Sequence, residues 1–149
     1  MRITTLVENT VNRSGLLAEH GLSFLLETEV ENILFDTGQS HALFHNATKM
    51  GIDLSKVDKI VLSHGHSDHT GGLGDALKIA KGANVYGHPR IFDEKYSKRK
   101  CEQRVIGIPY TREALILRGA RLHLSEEPIQ ISDGIQTTGE IKRQTDFET

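Results

Sequence analysis

Val61-Leu62-Ser63-His64-Gly65-His66-Ser67-Asp68-His69-Thr70-Gly71-Gly72 runs from an apolar stretch straight into a cluster of metal-ligating side chains. The segment Val57 to Ser63 predicts a buried strand, and at its end His64, His66, Asp68 and His69 place four donors within six residues. On a helix His64 and His66 would point roughly 200° apart, and the helical metal pattern is instead two histidines four residues apart. Gly65, Gly71 and Gly72 permit tight turns, so a loop at the strand end can gather all four donors. Neutral imidazole and carboxylate suit zinc, and also manganese or iron. The lack of cysteine donors points away from a sealed thiolate site.

Around this stretch, helical and extended periods interleave. Residues 1–8 alternate and predict a strand, followed by a polar loop from Asn9 to Gly21. Ser23–Thr28 and Ile33–Asp36 are short apolar runs separated by charged residues, a hairpin signal, and Asp36-Thr37-Gly38 breaks the second run. Leu43, Phe44, Ala47 and Met50 recur at helical spacing, with Ser40 as the expected N-cap and Gly51 as the stop. Leu73, Ala76, Leu77 and Ala80 form a second helical set closed by Gly82. Asn84–His88 predicts a strand ended by Pro89. The charged segment Asp93–Lys100 is expected to be solvated. Thr111–Leu117 reads as a short helix and Arg121–Leu124 as a strand. Ile129–Ile131 and Ile135–Thr138 read as two strands about a Ser132-Asp133-Gly134 turn. The expected class is α/β (α+β), in one domain covering residues 1–149.

Composition narrows the function classes. Of 149 residues, 37% are hydrophobic and 26% charged, enough apolar material for one core. Lys plus Arg number 18 against 20 Asp plus Glu, a net charge of −2. That balance gives no electrostatic reason to expect nucleic-acid or acidic-membrane partners. The single cysteine, Cys101, excludes an internal disulfide framework and fits a reducing, cytoplasmic setting. The N-terminus lacks the apolar stretch of a secretory signal, and no window approaches a membrane span.

The His64–His69 stretch resembles the His-x-His-x-Asp-His signature of the metallo-β-lactamase superfamily. Ile33-Leu34-Phe35-Asp36-Thr37-Gly38 is similar to that superfamily's first motif, and Val61–Gly72 to its second. Glu19-His20-Gly21-Leu22-Ser23, Gly87-His88-Pro89 and Thr137-Thr138-Gly139-Glu140-Ile141 with Thr145-Asp146-Phe147-Glu148 resemble a narrower branch. That branch includes the dihydropterin–ribofuranosylaminobenzene 5′-phosphate synthases of methanopterin biosynthesis. The resemblance implies the N-terminal portion of a four-layer αββα sandwich with two divalent metal ions, zinc first, at one edge. It implies His64 and His66 as ligands of one metal, Asp68 and His69 as ligands of the other, and Asp36 beneath the loop as the residue that orients it. It also implies a metal-dependent hydrolase acting on an ester, phosphoester or lactone-type small molecule, in which a metal-activated hydroxide attacks and Asp68 also accepts a hydrogen bond from that hydroxide. A pterin synthase-like transferase is the alternative. Flavodiiron oxidoreductases of the same fold usually carry Glu where this chain has His66, which favours hydrolysis.

The family draws its remaining ligands from later motifs, a histidine, a bridging aspartate and another histidine, and these are not found before Thr149. The expectation is an incomplete domain lacking the C-terminal metal-ligand motifs: a shortened hydrolase, a half-protein joined by a separate C-terminal half, or a non-catalytic metal-binding or regulatory module. An uncovered sheet would favour self-association. Among the other histidines, His123 lacks a glycine-flanked setting, and His41 and His45 read as a solvated pair. His20, at the site mouth or on an exposed loop, and His88, beside substrate or structural, are substrate-side candidates with Glu140.

Overall fold

The structure, a computed structural model, describes residues 1–99, 102–142 and 144. Strand β1 (Arg2–Val7) pairs antiparallel with β2 (Ser23–Glu27), and β2 pairs antiparallel with β3 (Asn32–Phe35). The sheet then turns parallel: β3 lies beside β4 (Lys59–Val61), β4 beside β5 (Asn84–Gly87), and β5 beside β8 (Arg121–Leu124). The six-stranded order is β1-β2-β3-β4-β5-β8. Parallel neighbours need crossovers. Helix α1 (Ala42–Lys49) supplies the first, α2 (Ser67–Thr70) with α3 (Leu73–Ile79) the second, and α4 (Arg112–Leu117) the last. The mixed α/β class expected from the sequence is the class observed.

Period-two alternation sorts the strand residues onto two faces. Leu25, Leu34, Ile60 and Val85 share one face, where they pack with Leu43, Ala47, Leu73, Leu77 and Leu115 into the main core. Ile33, Val61 and Tyr86 point to the opposite face. There a hairpin of β9 (Gln130–Ser132) and β10 (Ile135–Gln136) covers them with Ile131, Ile129 and Ile135. The bond from Lys59 Nζ to the Ile131 carbonyl ties this hairpin to the sheet, and the same ammonium pairs with Glu31 at 2.6 Å. Away from the hairpin that face is less covered: Ile3, beside Leu26 in the register, is 58% exposed.

One expectation needs correction and one segment gains structure. Ser40 does not cap α1; His41 holds the N-cap position without a side-chain bond, and the Ser40 hydroxyl donates instead to Glu19 Oε2 at 2.5 Å. The described part of the charged segment after Asp93 is mostly exposed, as expected, and it also carries a strand that the sequence reading does not assign. Tyr96–Arg99 forms β6 and pairs antiparallel with β7 (Glu102–Val105), strands whose polar residues lack the apolar alternation that marks a half-buried strand. Cys101 and the expected Thr145–Glu148 motif lie outside the described residues. Among the described residues, no helix is long and apolar enough to cross a membrane.

Candidate metal centre

The carboxyl ends of parallel strands are where open α/β sheets place ligands, and here β3, β4 and β5 end in Asp36, in Ser63-His64 and in His88 respectively. Asp36 is fully buried and sits at a positive φ of 55°. Its Oδ1 accepts from the Ser63 amide at 2.8 Å, and its Oδ2 accepts from Ser63 Oγ at 2.6 Å and from His69 Nδ1 at 2.8 Å. Thr37 secures the far end of the loop, donating from both its amide and its hydroxyl to the His69 carbonyl at 2.8 and 3.0 Å.

These bonds fix the protons on two imidazoles. A carboxylate only accepts, so His69 carries its proton on Nδ1 and its Nε2 lone pair is free. The Ser63 hydroxyl donates its one proton to Asp36, so at its 2.9 Å contact with His64 Nδ1 it accepts. His64 is therefore also protonated on Nδ1, with its lone pair on Nε2. One buried carboxylate sets both tautomers, directly for His69 and through Ser63 for His64. Ser63 is a residue that sequence reasoning missed; its position between strand end and first histidine is the only signal it leaves.

The donors converge as follows. His64, Asp68 and His69 each offer a ligand atom within 4.8 Å of the others. His66 does not join that trio but lies against it, with Nδ1 3.0 Å from His64 Nε2. Two nitrogens on one tetrahedral zinc, at Zn–N of about 2.0–2.1 Å, stand about 3.3 Å apart, so the His64–His66 spacing also suits a shared cation. His64, Asp68 and His69 supply nitrogen and carboxylate oxygen within 4.8 Å of one another, a donor set that fits a divalent metal such as zinc. Not all of the stretch is loop: Ser67–Thr70 forms one helical turn with His66 at its N-cap position, which puts Asp68 and His69 on the side facing His64. Gly65 is required where it stands, since a Cβ there would lie 2.1 Å from the Ile91 carbonyl oxygen. Burial holds the His64 pKa below its ordinary 6.5, helped by the neighbouring His69 and His66 and opposed by Asp36 and Asp68.

The remaining candidates divide. His20 reaches the cluster, its Nε2 3.3 Å from Asp68 Oδ2, although its side chain is 77% exposed. His88 and Glu140 stand apart from the donors but line a cleft of ≈580 Å³ with Ser63, His64 and Arg90. His88 Nδ1 accepts from the Arg90 amide at 3.1 Å, and its buried Nε2 has no partner among the described residues. His123 is elsewhere, bonded to Asn84 Oδ1 at 2.9 Å and stacked on Tyr86. His45 is bonded to the Gly15 carbonyl, and His41 lies near the Ser40 hydroxyl.

A parallel-stranded α/β sheet with a His/Asp cluster at its strand ends defines a metal-centre class, and the comparisons name the family. The sequence profile of the metallo-beta-lactamase superfamily matches residues 17–145, and the chain belongs to that superfamily. It is similar to a 7,8-dihydropterin-6-methyl-4-(beta-D-ribofuranosyl)-aminobenzene-5′-phosphate synthase of Methanocaldococcus jannaschii, 36% identical over 95% of this chain and 51% of that protein. An uncharacterised protein of the same organism is 34% identical over 98% of this chain and 56% of its own length. In structure the chain is similar to a metal-dependent hydrolase of the beta-lactamase superfamily, with a TM-score of 0.68 and 27% identity over 90% of this chain and 46% of that one. The chain thus spans about half the length of the curated relatives it matches.

Proposed function

We propose that His64, His66, Asp68 and His69 hold two divalent metal ions, zinc first, and that the chain is part of a metal-dependent hydrolase of esters, phosphoesters or lactones. The observation that carries this reading is the pair of Nε2 lone pairs, both set through Asp36, on two histidines that gather with Asp68 within 4.8 Å. A divalent ion bound among them supplies Lewis acidity and water whose pKa is lowered to about 7. In this reading Asp68 is the catalytic residue, with a carboxylate oxygen that accepts a hydrogen bond from the attacking water. His88 and Glu140 border the substrate from the adjoining cleft. A cytoplasmic setting and a further segment or partner completing the ligand set belong to the same proposal.

A second reading, a pterin synthase-like transfer reaction, is favoured by one finding, the 36% identity to a protein named as a dihydropterin–ribofuranosyl-aminobenzene-5′-phosphate synthase. Elemental analysis tests the shared metal step: the purified chain should carry divalent metal that the double variant His64→Ala/His66→Ala loses. Equal metal content in both would refute it. The chain is then combined with the C-terminal half of the 36%-identical relative. Cleavage of a model phosphoester or lactone without flavin or reductant supports hydrolysis, whereas ester-panel silence with phosphate-ester product formation supports the transferase.

A further inference from the structure

The segment Glu19–Ser23 makes more bonds to the metal loop than a connecting loop needs. Glu19 Oε1 accepts from the amides of Gln39 and Ser40 at 3.0 and 3.1 Å, and Oε2 from the Ser40 hydroxyl. The Gly38 amide donates to the Leu22 carbonyl at 2.9 Å, and Ser23 Oγ donates to the Asp36 carbonyl at 2.8 Å. The segment is therefore clamped to the turn that carries Asp36. Between these anchors Gly21, at φ 135°, lies directly on the Asp68 backbone, where a Cβ would stand 2.1 Å from the Asp68 carbonyl oxygen. His20, held between Glu19 and Gly21, has its Nε2 3.3 Å from Asp68 Oδ2. The contact is at ion-pair distance, with the ring nitrogen beside the carboxylate oxygen. The same Oδ2 stands 3.6 Å from His69 Nε2, so His20 and His69 flank one carboxylate oxygen.

We propose that Glu19 and His20 form a positioning brace for Asp68: Glu19 locks the segment to the Gln39-Ser40 turn, and His20 holds one Asp68 oxygen so that the carboxylate faces His69. The inference rests on the metal reading above and deepens it, assigning to this segment the affinity of the cation position that Asp68 shares with His69. An outer partner of a metal ligand is typically worth about 10–100-fold in affinity.

The test titrates cobalt(II) into the chain and reads both affinity and the visible absorption of the bound ion, which reports ligand geometry. His20→Ala should weaken binding tenfold or more and change the spectrum, while His20→Gln, which keeps an N–H donor, restores most of both. Glu19→Ala should weaken binding similarly, and Glu19→Gln, which still accepts from the two amides, much less. In an Asp68→Ala background His20→Ala should have no further effect, since the brace acts through that carboxylate. His20 is exposed, so its variants keep the fold even where Glu19→Ala does not. Wild-type binding with His20 variants equally tight, or an undiminished His20 effect without Asp68, overturns the brace alone. A wild-type chain that binds no cobalt overturns the metal reading and the brace with it.

Discussion

Replacing Asp36 by Asn changes one carboxylate oxygen into an NH2 group and leaves the shape of the side chain intact. The effect on the metal loop follows from the hydrogen-bond roles. If the amide oxygen keeps the Ser63 amide, the new N–H donors face Ser63 Oγ and His69 Nδ1, formerly 2.6 and 2.8 Å from Oδ2. His69 must then accept at Nδ1 and carry its proton on Nε2. Ser63 must accept from the amide and donate to His64, which moves that proton to Nε2 as well. Both lone pairs turn away from the metal position. Loss of such a partner costs about 10–100-fold in metal affinity, or about 1.4–2.8 kcal/mol at ~1.4 kcal/mol per decade. Three hydrogen bonds to a charged acceptor become one to a neutral acceptor and two from a neutral donor, which should also lower stability by about 1–3 kcal/mol. Zinc affinity is measured by competition with a chromophoric chelator, stability by urea unfolding, and the tautomers by 15N NMR of the imidazoles. Asp36→Asn affinity within twofold of wild type, with His64 and His69 still protonated on Nδ1, would refute the tautomer argument.

Other expectations rest on single contacts. Gly65→Ala places a Cβ 2.1 Å from the Ile91 carbonyl oxygen, so backbone must part by roughly 1 Å; overpacking of this kind costs about 1–3 kcal/mol, visible as a lowered melting temperature, and an unchanged one would count against the packed loop. Asn46 is buried in α1, donating to the Leu6 and Leu17 carbonyls at 2.7 and 2.8 Å and accepting from the Leu17 amide. Asn46→Leu should cost about 2–4 kcal/mol in urea unfolding because groups on two segments lose partners at once; a cost below 0.5 kcal/mol would contradict this geometry. For the metal-free chain, NMR titration should give His64 a midpoint below the ordinary 6.5. The unfolded chain then binds more protons than the folded one below about pH 6.5, so this group's contribution to stability is present above that pH and is lost as pH falls. A midpoint above 6.5 would reverse the sign.

The strands whose side chains pack on a core announced themselves, because alternation and apolar runs are what burial selects. Leu25, Leu34, Ile60 and Val85 fall on one face of the sheet for that reason, and Thr111 caps α4 as its sequence setting indicates, accepting from the Ala114 amide. The β6–β7 hairpin was illegible, since Glu102, Gln103, Arg104 and Val105 are all exposed and leave no period. Ser40 misled for a different reason: its hydroxyl suits an N-cap, but it lies one residue before the observed cap and donates instead to the distant carboxylate of Glu19. At the candidate centre the density of donors in His64–His69 was plain. What could not be read was their connection, because the contacts joining Glu19 to Ser40, His20 to Asp68 and Asp36 to Ser63 link segments far apart in the chain.

The backbone at Asp36 offers a way to separate the strain of the turn from the orientation of the ligands. A residue with a side chain at φ 55° gives up about 1–2 kcal/mol relative to right-handed conformations, although Asp and Asn tolerate the region better than most. Here the three hydrogen bonds to the carboxylate outweigh that cost, since bonds to a charged group contribute about 1.5–3 kcal/mol each. The backbone is held as well, by the Asp36 amide on the Val61 carbonyl and by Ser23 Oγ on the Asp36 carbonyl. Asp36→Gly removes the strain and the carboxylate together, whereas Asp36→Ala removes the carboxylate and keeps the strain. Both variants should therefore lose metal affinity to the same degree, yet the glycine variant should be more stable than the alanine variant by about 1 kcal/mol. Urea unfolding of the metal-free proteins measures the second quantity and chelator competition the first. Equal stability of the two would mean that the turn relaxes when the carboxylate is gone, so that the positive φ is imposed by the bonds to Ser63 and His69 and not by the backbone around it.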